Sequence, residues 1–356
     1  MVTALTIILI FIPIWFVIHE LGAATALAAF DHPPEPGASE SITAPSGPSV
    51  EHREAANRIR AVTQSARGMP GRERLRFIRN FMEELSLDRE FNCRFIPVEA
   101  DGVPAEWVVA PGVPASRRVM YIHGGAFMAG SPRSHRSITS RFSAVANAAV
   151  LAVDYRLMPE HRRMDGIEDC RSAYRWILNN GPEGPGLASK IYVSGDSAGG
   201  NLALMIAAWV RDQGLQAPAA VIALSPVTDA MHSSPSIRTN RVTDVMLGPL
   251  CSALMRIPRP LLLLYFWLQH RMLPSNPLVS PIFGDLAGLP PILIQVSEAE
   301  MLLGDALRYV NKARASGTPA RLQRWAGMMH VWQIFCPEVP EAREAIDRIG
   351  VFVNSV

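Results

Sequence analysis

The chain has 356 residues, 49 % apolar and 19 % charged, which excludes an intrinsically disordered protein and allows one large α/β domain. A net charge of +2, with no basic run interleaved with aromatic residues, argues against a nucleic-acid partner. The four cysteines, Cys93, Cys170, Cys251 and Cys336, are scattered without the spacing of a zinc or redox site, and nothing calls for disulfides.

Residues 2–18, VTALTIILIFIPIWFVI, carry no charge and are long enough to enter or cross a bilayer. Residues 1–30 are therefore read as a membrane anchor or, with Ala26-Leu27-Ala28 as a small-residue cleavage site, a signal peptide. The absence of Lys or Arg ahead of the run favours the anchor. Either reading puts a soluble catalytic domain on a membrane or outside it. Residues 31–52 are rich in Pro, Ser and Gly with no apolar period, the composition of a flexible linker. Residues 53–90 hold two helical patterns broken at Gly68-Met69-Pro70-Gly71, with apolar positions recurring every three or four residues.

From residue 91 to the end, short β-rich runs alternate with helical stretches. NCRFIPVEA and AEWVVAPG read as an antiparallel pair. RRVMYIHGG, AVLAVDYR, KIYVSGDS, AAVIALSP, PPILIQVSE and ARLQRWAG follow, with helices expected near 134–147, 165–180, 198–213, 303–316 and 338–354. Unbroken apolar strands separated by helices predict a mostly parallel, eight-stranded sheet with helices on both faces. Residues 230–275 interrupt the alternation as an insertion placed to cap a site. Its PLLLLYFWL is too short to span a membrane and is read as cap core, or else as a surface that touches lipid.

Gly195-Asp196-Ser197-Ala198-Gly199 lies between a strand and a helix, the setting of a sharp turn that exposes a serine hydroxyl as a nucleophile. Such a hydroxyl needs a base, and the base an orienting acid. Of the histidines after Ser197, only His330 follows the last strand. For the acid, Glu298, Glu300 and Asp305 all lie just beyond the preceding strand; Glu300, in the loop where the strand ends, is preferred, with Asp305 next. A tetrahedral oxyanion needs N–H donors fixed in advance. HGGA after the RRVMYI strand is the loop to supply them, through Gly124, Gly125 and Ala126, joined by Ala198 after the nucleophile. His123 is read as shaping that loop, not as moving a proton. No H-E-x-x-H, C-x-x-C or dinucleotide fingerprint occurs, so no cofactor and no metal are expected.

HGGAF, DYRLMPEH, GDSAGG, NPLVSPIFGDLAGLPPILIQV and GMMHVWQ together resemble the hormone-sensitive lipase family of α/β hydrolases, including bacterial family IV esterases and arylacetamide deacetylase-like members. The resemblance covers roughly residues 55–354. It implies an α/β-hydrolase fold, a carboxylesterase or lipase-type serine hydrolase acting on a small-molecule ester, and Ser197, Glu300 and His330 as its catalytic residues. It also implies that the helices of 51–90 and the insertion cap an acyl pocket. Short- to medium-chain esters are the expected substrates, with a membrane-associated lipase, an N-acyl amidase and a catalytically silent receptor as alternatives; a homodimer is left open. Two departures stand out: Ala126 replaces the family's usual third glycine, and Arg162, Arg163 and Asp165 replace small or apolar residues. Asp154 and Arg156 are expected to form a structural ion pair.

Overall fold

The computed structural model describes residues 15–87 and 89–356. Residues 15–26 are helical (α1), then α2 is Val50–Ala66, α3 Gly71–Glu84, α4 Arg136–Ala146, α5 Arg163–Ile177 and α6 Ala198–Asp212. The later helices are α7 Ser236–Thr239, α8 Leu247–Cys251, α9 Arg259–His270, α10 Leu303–Ala315 and α11 Pro340–Ser355. The strands are β1 Ser39–Ile42, β2 Arg94–Ala100, β3 Val103–Val109, β4 Arg117–Ile122, β5 Ala149–Val153, a short hairpin of β6 Asn180–Gly181 and β7 Gly184–Pro185, then β8 Lys190–Asp196, β9 Ala220–Leu224, β10 Ile292–Ser297 and β11 Ala320–Trp325.

Nine strands form one sheet in the order β1-β11-β10-β9-β8-β4-β5-β3-β2, parallel except where β3 pairs with β2 and β5. The unbroken apolar runs follow from burial on both faces: every residue of β5, β9 and β10 is buried. Period-2 alternation divides them between two cores. Met120 and Ile122 of β4 pack on one face with Ile167 of α5 and Leu202 of α6. Val119 and Tyr121 pack on the other with Phe142 of α4 and Ile346 of α11. After β4 the chain passes to β5 on one side, and it returns across β4 to β8 on the other. The carboxyl ends of β4 and β8 therefore meet where the winding reverses, the place such sheets put their sites.

Two expectations are corrected. The sheet has nine strands, not eight, and the segment expected to be a flexible linker (31–52) contributes the ninth: Ser39–Ile42 pairs in parallel with β11, and Val50 already starts α2. Of the expected anchor, residues 1–14 lie outside the described residues. Among the described residues no helix is long and apolar enough to cross a membrane. Residues 15–30 pack on the body: Phe16 and Ala24 join Met231 and Leu263, and the buried Glu20 carboxylate accepts from Ser275 N–H and Oγ–H at 2.9 and 2.7 Å. All four cysteines are free, with Cys170 and Cys336 buried and Cys93 and Cys251 partly so.

Candidate active site

Ser197 occupies the turn between β8 and α6 with φ +51° and ψ −114°, a conformation that costs a residue with a Cβ about 1–3 kcal/mol. The flanking glycines are set by packing. A Cβ on Gly199 would lie 1.9 Å from the Ile122 carbonyl oxygen, and one on Gly195 2.4 Å from that of Gly199. The Ser197 N–H donates to the Leu224 carbonyl at 2.7 Å, holding the turn against β9 and leaving Oγ at its tip.

His330, in the loop after β11, places Nε2 3.0 Å from Ser197 Oγ and Nδ1 2.6 Å from Glu300 Oε2. Glu300 lies in the turn between β10 and α10 and is fully buried. Its other oxygen accepts from Ser297 N–H at 2.6 Å and Ser225 Oγ–H at 2.7 Å, which fixes the carboxylate's orientation toward the imidazole. Burial alone would lower the His330 pKa. The Glu300 charge and hydrogen bond, helped by Asp244 and Asp196, outweigh it and raise the imidazole above its ordinary 6.5. Neither rival acid reaches the imidazole. Asp305 accepts from the N–H groups of Thr228 and Asp229 at 2.9 and 3.0 Å, and burial with the Asp229 charge pushes its carboxyl up to about 7. Glu298 faces outward, accepting from Ser41 Oγ at 3.1 Å beside Arg324.

The glycine loop follows β4. His123 is buried and stacks on Tyr155 with ring centroids 4.5 Å apart, and its Nδ1 lies 2.8 Å from the Gly124 carbonyl oxygen. Burial, with the neighbouring His135 charge, lowers its pKa to about 3, so the ring is neutral and donates Nδ1–H. Gly124 is a correction: its N–H donates to Asp196 Oδ1 at 3.0 Å and is not free for a substrate oxygen. Its lack of a side chain serves that approach, since a Cβ would lie 2.1 Å from Asp196 Oδ2. The N–H groups of Gly125, Ala126 and Ala198 have no acceptor among the described residues. Ala126 and Phe127 take φ +55° and +62°, so the alanine that replaces a glycine sits in the left-handed region at a cost of about 1 kcal/mol.

Sequence reasoning passed over Asp196, although a charged residue directly before a nucleophile at the end of a buried strand is itself a signal. Its Oδ1 also accepts from Tyr121 Oη at 2.7 Å, and His135 Nε2 lies 3.4 Å away at ion-pair distance. Burial would raise the Asp196 carboxyl, but the His135 charge and these donors hold it below the usual range. Asp196→Ala is expected to lower kcat about 100-fold by freeing the loop while KM for a soluble ester changes little. Steady-state kinetics beside a melting curve check this. A rise in KM with kcat unchanged would show that the loop positions substrate and not charge.

The departures also resolve. Arg156 pairs with Asp169 of α5, Nη2 to Oδ1 at 2.7 Å, and not with Asp154. Asp165 caps α5 by accepting from the Arg162 N–H at 2.8 Å. Arg163 is buried, lies 3.4 Å over the Phe127 ring and donates to Asn201 Oδ1 of α6 at 2.7 Å, tying the back of the glycine loop to the nucleophile helix.

Above Ser197 and His330 is an apolar cavity of about 200 Å³. Ile59 of α2, Ile78 and Phe81 of α3 and Leu250 of α8 form its walls, so both the N-terminal helices and the insertion cover the site. Arg79 of α3 fastens this cover to the glycine loop, Nε donating to the Met128 carbonyl at 2.7 Å.

The family model described as alpha/beta hydrolase fold matches residues 119–334. An acetyl-hydrolase of Streptomyces hygroscopicus is 38 % identical over 256 residues, 70 % of this chain and 79 % of that protein. The carboxylesterase/phospholipase LipF of Mycobacterium tuberculosis is 36 % identical over 262 residues, covering 70 % of this chain and 66 % of its own length. Among solved structures, an esterase from the bacterial hormone-sensitive lipase family superposes with a TM-score of 0.73 at 35 % identity, covering 85 % of this chain and 98 % of that one. A mutant of the esterase E40 gives 0.75 at 35 % identity over 86 % and 99 %. On sequence, fold and site geometry alike, the chain belongs to the α/β-hydrolase family, in its hormone-sensitive lipase-like branch.

Proposed function

We propose that this serine ester hydrolase cleaves short- to medium-chain carboxylic esters through an acyl-enzyme on Ser197. The observation that carries the reading is the hydrogen-bonded series Ser197–His330–Glu300 at the floor of an apolar cavity. His330 Nε2 takes the hydroxyl proton as Oγ attacks the carbonyl carbon. The oxyanion is held by N–H groups of Gly125, Ala126 and Ala198, the last at the positive end of the α6 dipole. Collapse expels the alcohol, which takes the proton from His330. Water, deprotonated in turn by His330, then releases the acid and restores Ser197.

The small volume and apolar walls of the cavity support an acyl chain of limited length. With p-nitrophenyl esters from acetate to palmitate and the full chain, kcat/KM is expected to peak between butyrate and octanoate and to fall steeply by palmitate. Turnover of long chains alone, and only above their micelle concentration, would replace this reading with a lipase. Inertness toward every ester with cleavage of N-acyl amides would replace it with an amidase. Attachment to a membrane through the uncharged run 2–18 belongs to the same proposal, with the catalytic domain outside the bilayer.

A further inference from the structure

Helix α9 has two apolar faces where a surface helix needs one. Leu262, Leu263 and Phe266 point into the body. Leu261, Leu264, Tyr265 and Leu268, at spacings of three, four and seven, form a second stripe that is exposed. The stripe continues onto α1: Trp267 meets Phe16 with ring centroids 5.8 Å apart, and Trp15 and Ile18 beside it are 58 % and 66 % exposed. Trp15 and Ile18 are the described end of the uncharged run 2–18.

The charge carried by the insertion itself is almost all of one sign. The insertion 230–275 holds five arginines, no lysine and a single acid, Asp244, whose buried carboxylate is occupied by the N–H groups of Leu247 and Met301. Arg238, Arg241 and Arg259 line a groove of about 340 Å³ at the N-terminal end of α9, and Arg271 is exposed at its other end. Exposed aliphatic and aromatic side chains flanked by arginine are the composition of a helix that lies in a membrane interface. At 12 residues α9 is about 18 Å long, too short to cross the hydrocarbon core.

We propose that the α9 stripe and the adjoining arginine groove form a docking face for an anionic phospholipid bilayer. Leu261, Leu264, Tyr265 and Leu268 enter the acyl boundary, and Arg238, Arg241 and Arg259 meet the phosphate layer. The face adjoins the end of the uncharged run at Trp15 and Ile18, and it stands whether or not the ester reading does.

The test uses the full chain and vesicles of phosphatidylcholine with or without phosphatidylglycerol. Wild-type protein is expected to bind the mixed vesicles more tightly than the neutral ones. Arg238→Gln/Arg241→Gln is expected to lose about fivefold per arginine on mixed vesicles and little on neutral ones. Leu261→Ser/Leu264→Ser/Leu268→Ser, changing only exposed positions, is expected to weaken binding to both while hydrolysis of soluble p-nitrophenyl butyrate is unchanged. Bromine-labelled phosphatidylglycerol gives an independent reading: it is expected to quench wild-type indole fluorescence more than that of Trp267→Phe. Equal quenching together with wild-type binding by the leucine variant would mean that α9 stays in water, and would overturn the proposal. Failure to bind vesicles, with a concentration-dependent dimer lost in the leucine variant, would overturn it in favour of a second copy.

Discussion

Ser197→Ala is expected to lower kcat for p-nitrophenyl butyrate by about 10⁶-fold, to the background left by the oxyanion donors and the pocket. The size of the effect follows from what Oγ does: its hydrogen bond is to His330 Nε2, so it is held for proton transfer and contributes little to folding. The turn itself is fixed by backbone, through the Ser197 N–H to Leu224 and the close approach of Gly195 and Gly199 to the end of β4. Alanine keeps the Cβ and all of those contacts. The variant is therefore expected to melt within about 0.5 kcal/mol of the wild type, the range of changes that break no buried feature. Kinetics and thermal unfolding on one preparation decide it. A variant retaining a tenth of wild-type activity, with normal melting, would mean that another nucleophile does the chemistry.

How far the sequence could be read depended on whether each feature is local. β5, β9 and β10 were readable because burial on both faces demands continuous apolar residues, and α4, α5, α6, α10 and α11 lie within a few residues of the expected stretches. β1 escaped because SESI has almost no apolar content, buries only Ile42 and owes its strand to a partner some 280 residues away. The acid could not be separated from its neighbours on residue type alone. Glu300 and Asp305 are five positions apart, and only folding turns one toward His330 and the other toward Thr228 and Asp229. Gly124 was grouped with the oxyanion donors for the same reason. Adjacent glycines look alike until Asp196 takes the N–H of the first. Arg163 looked like a disturbance, but its stacking on Phe127 depends on a contact that the sequence does not print.

Glu300→Gln is expected to cost about 10⁴-fold in kcat and to move the acid limb of the rate profile downward. In the wild type, a protonated His330 cannot take the Ser197 proton, so kcat/KM falls as pH drops through the imidazole pKa. Because Glu300 raises that pKa, the limb lies above 6.5. Glutamine is nearly isosteric but has one acceptor atom where the carboxylate has two. The Oε1 site faces two donors, Ser297 N–H and Ser225 Oγ–H, and takes the amide oxygen. The amide NH₂ then faces His330 Nδ1, which must accept, so the neutral ring carries its proton on Nε2 and points it at Ser197. The base is thereby in the wrong tautomer, and the negative charge that offset burial is gone, leaving desolvation to pull the imidazole down. A pH profile of kcat/KM for both proteins separates the two consequences: a lower plateau reports the tautomer and a limb displaced to lower pH reports the charge. A variant with the lowered plateau but an unmoved limb would show that the acid limb belongs to a group other than His330.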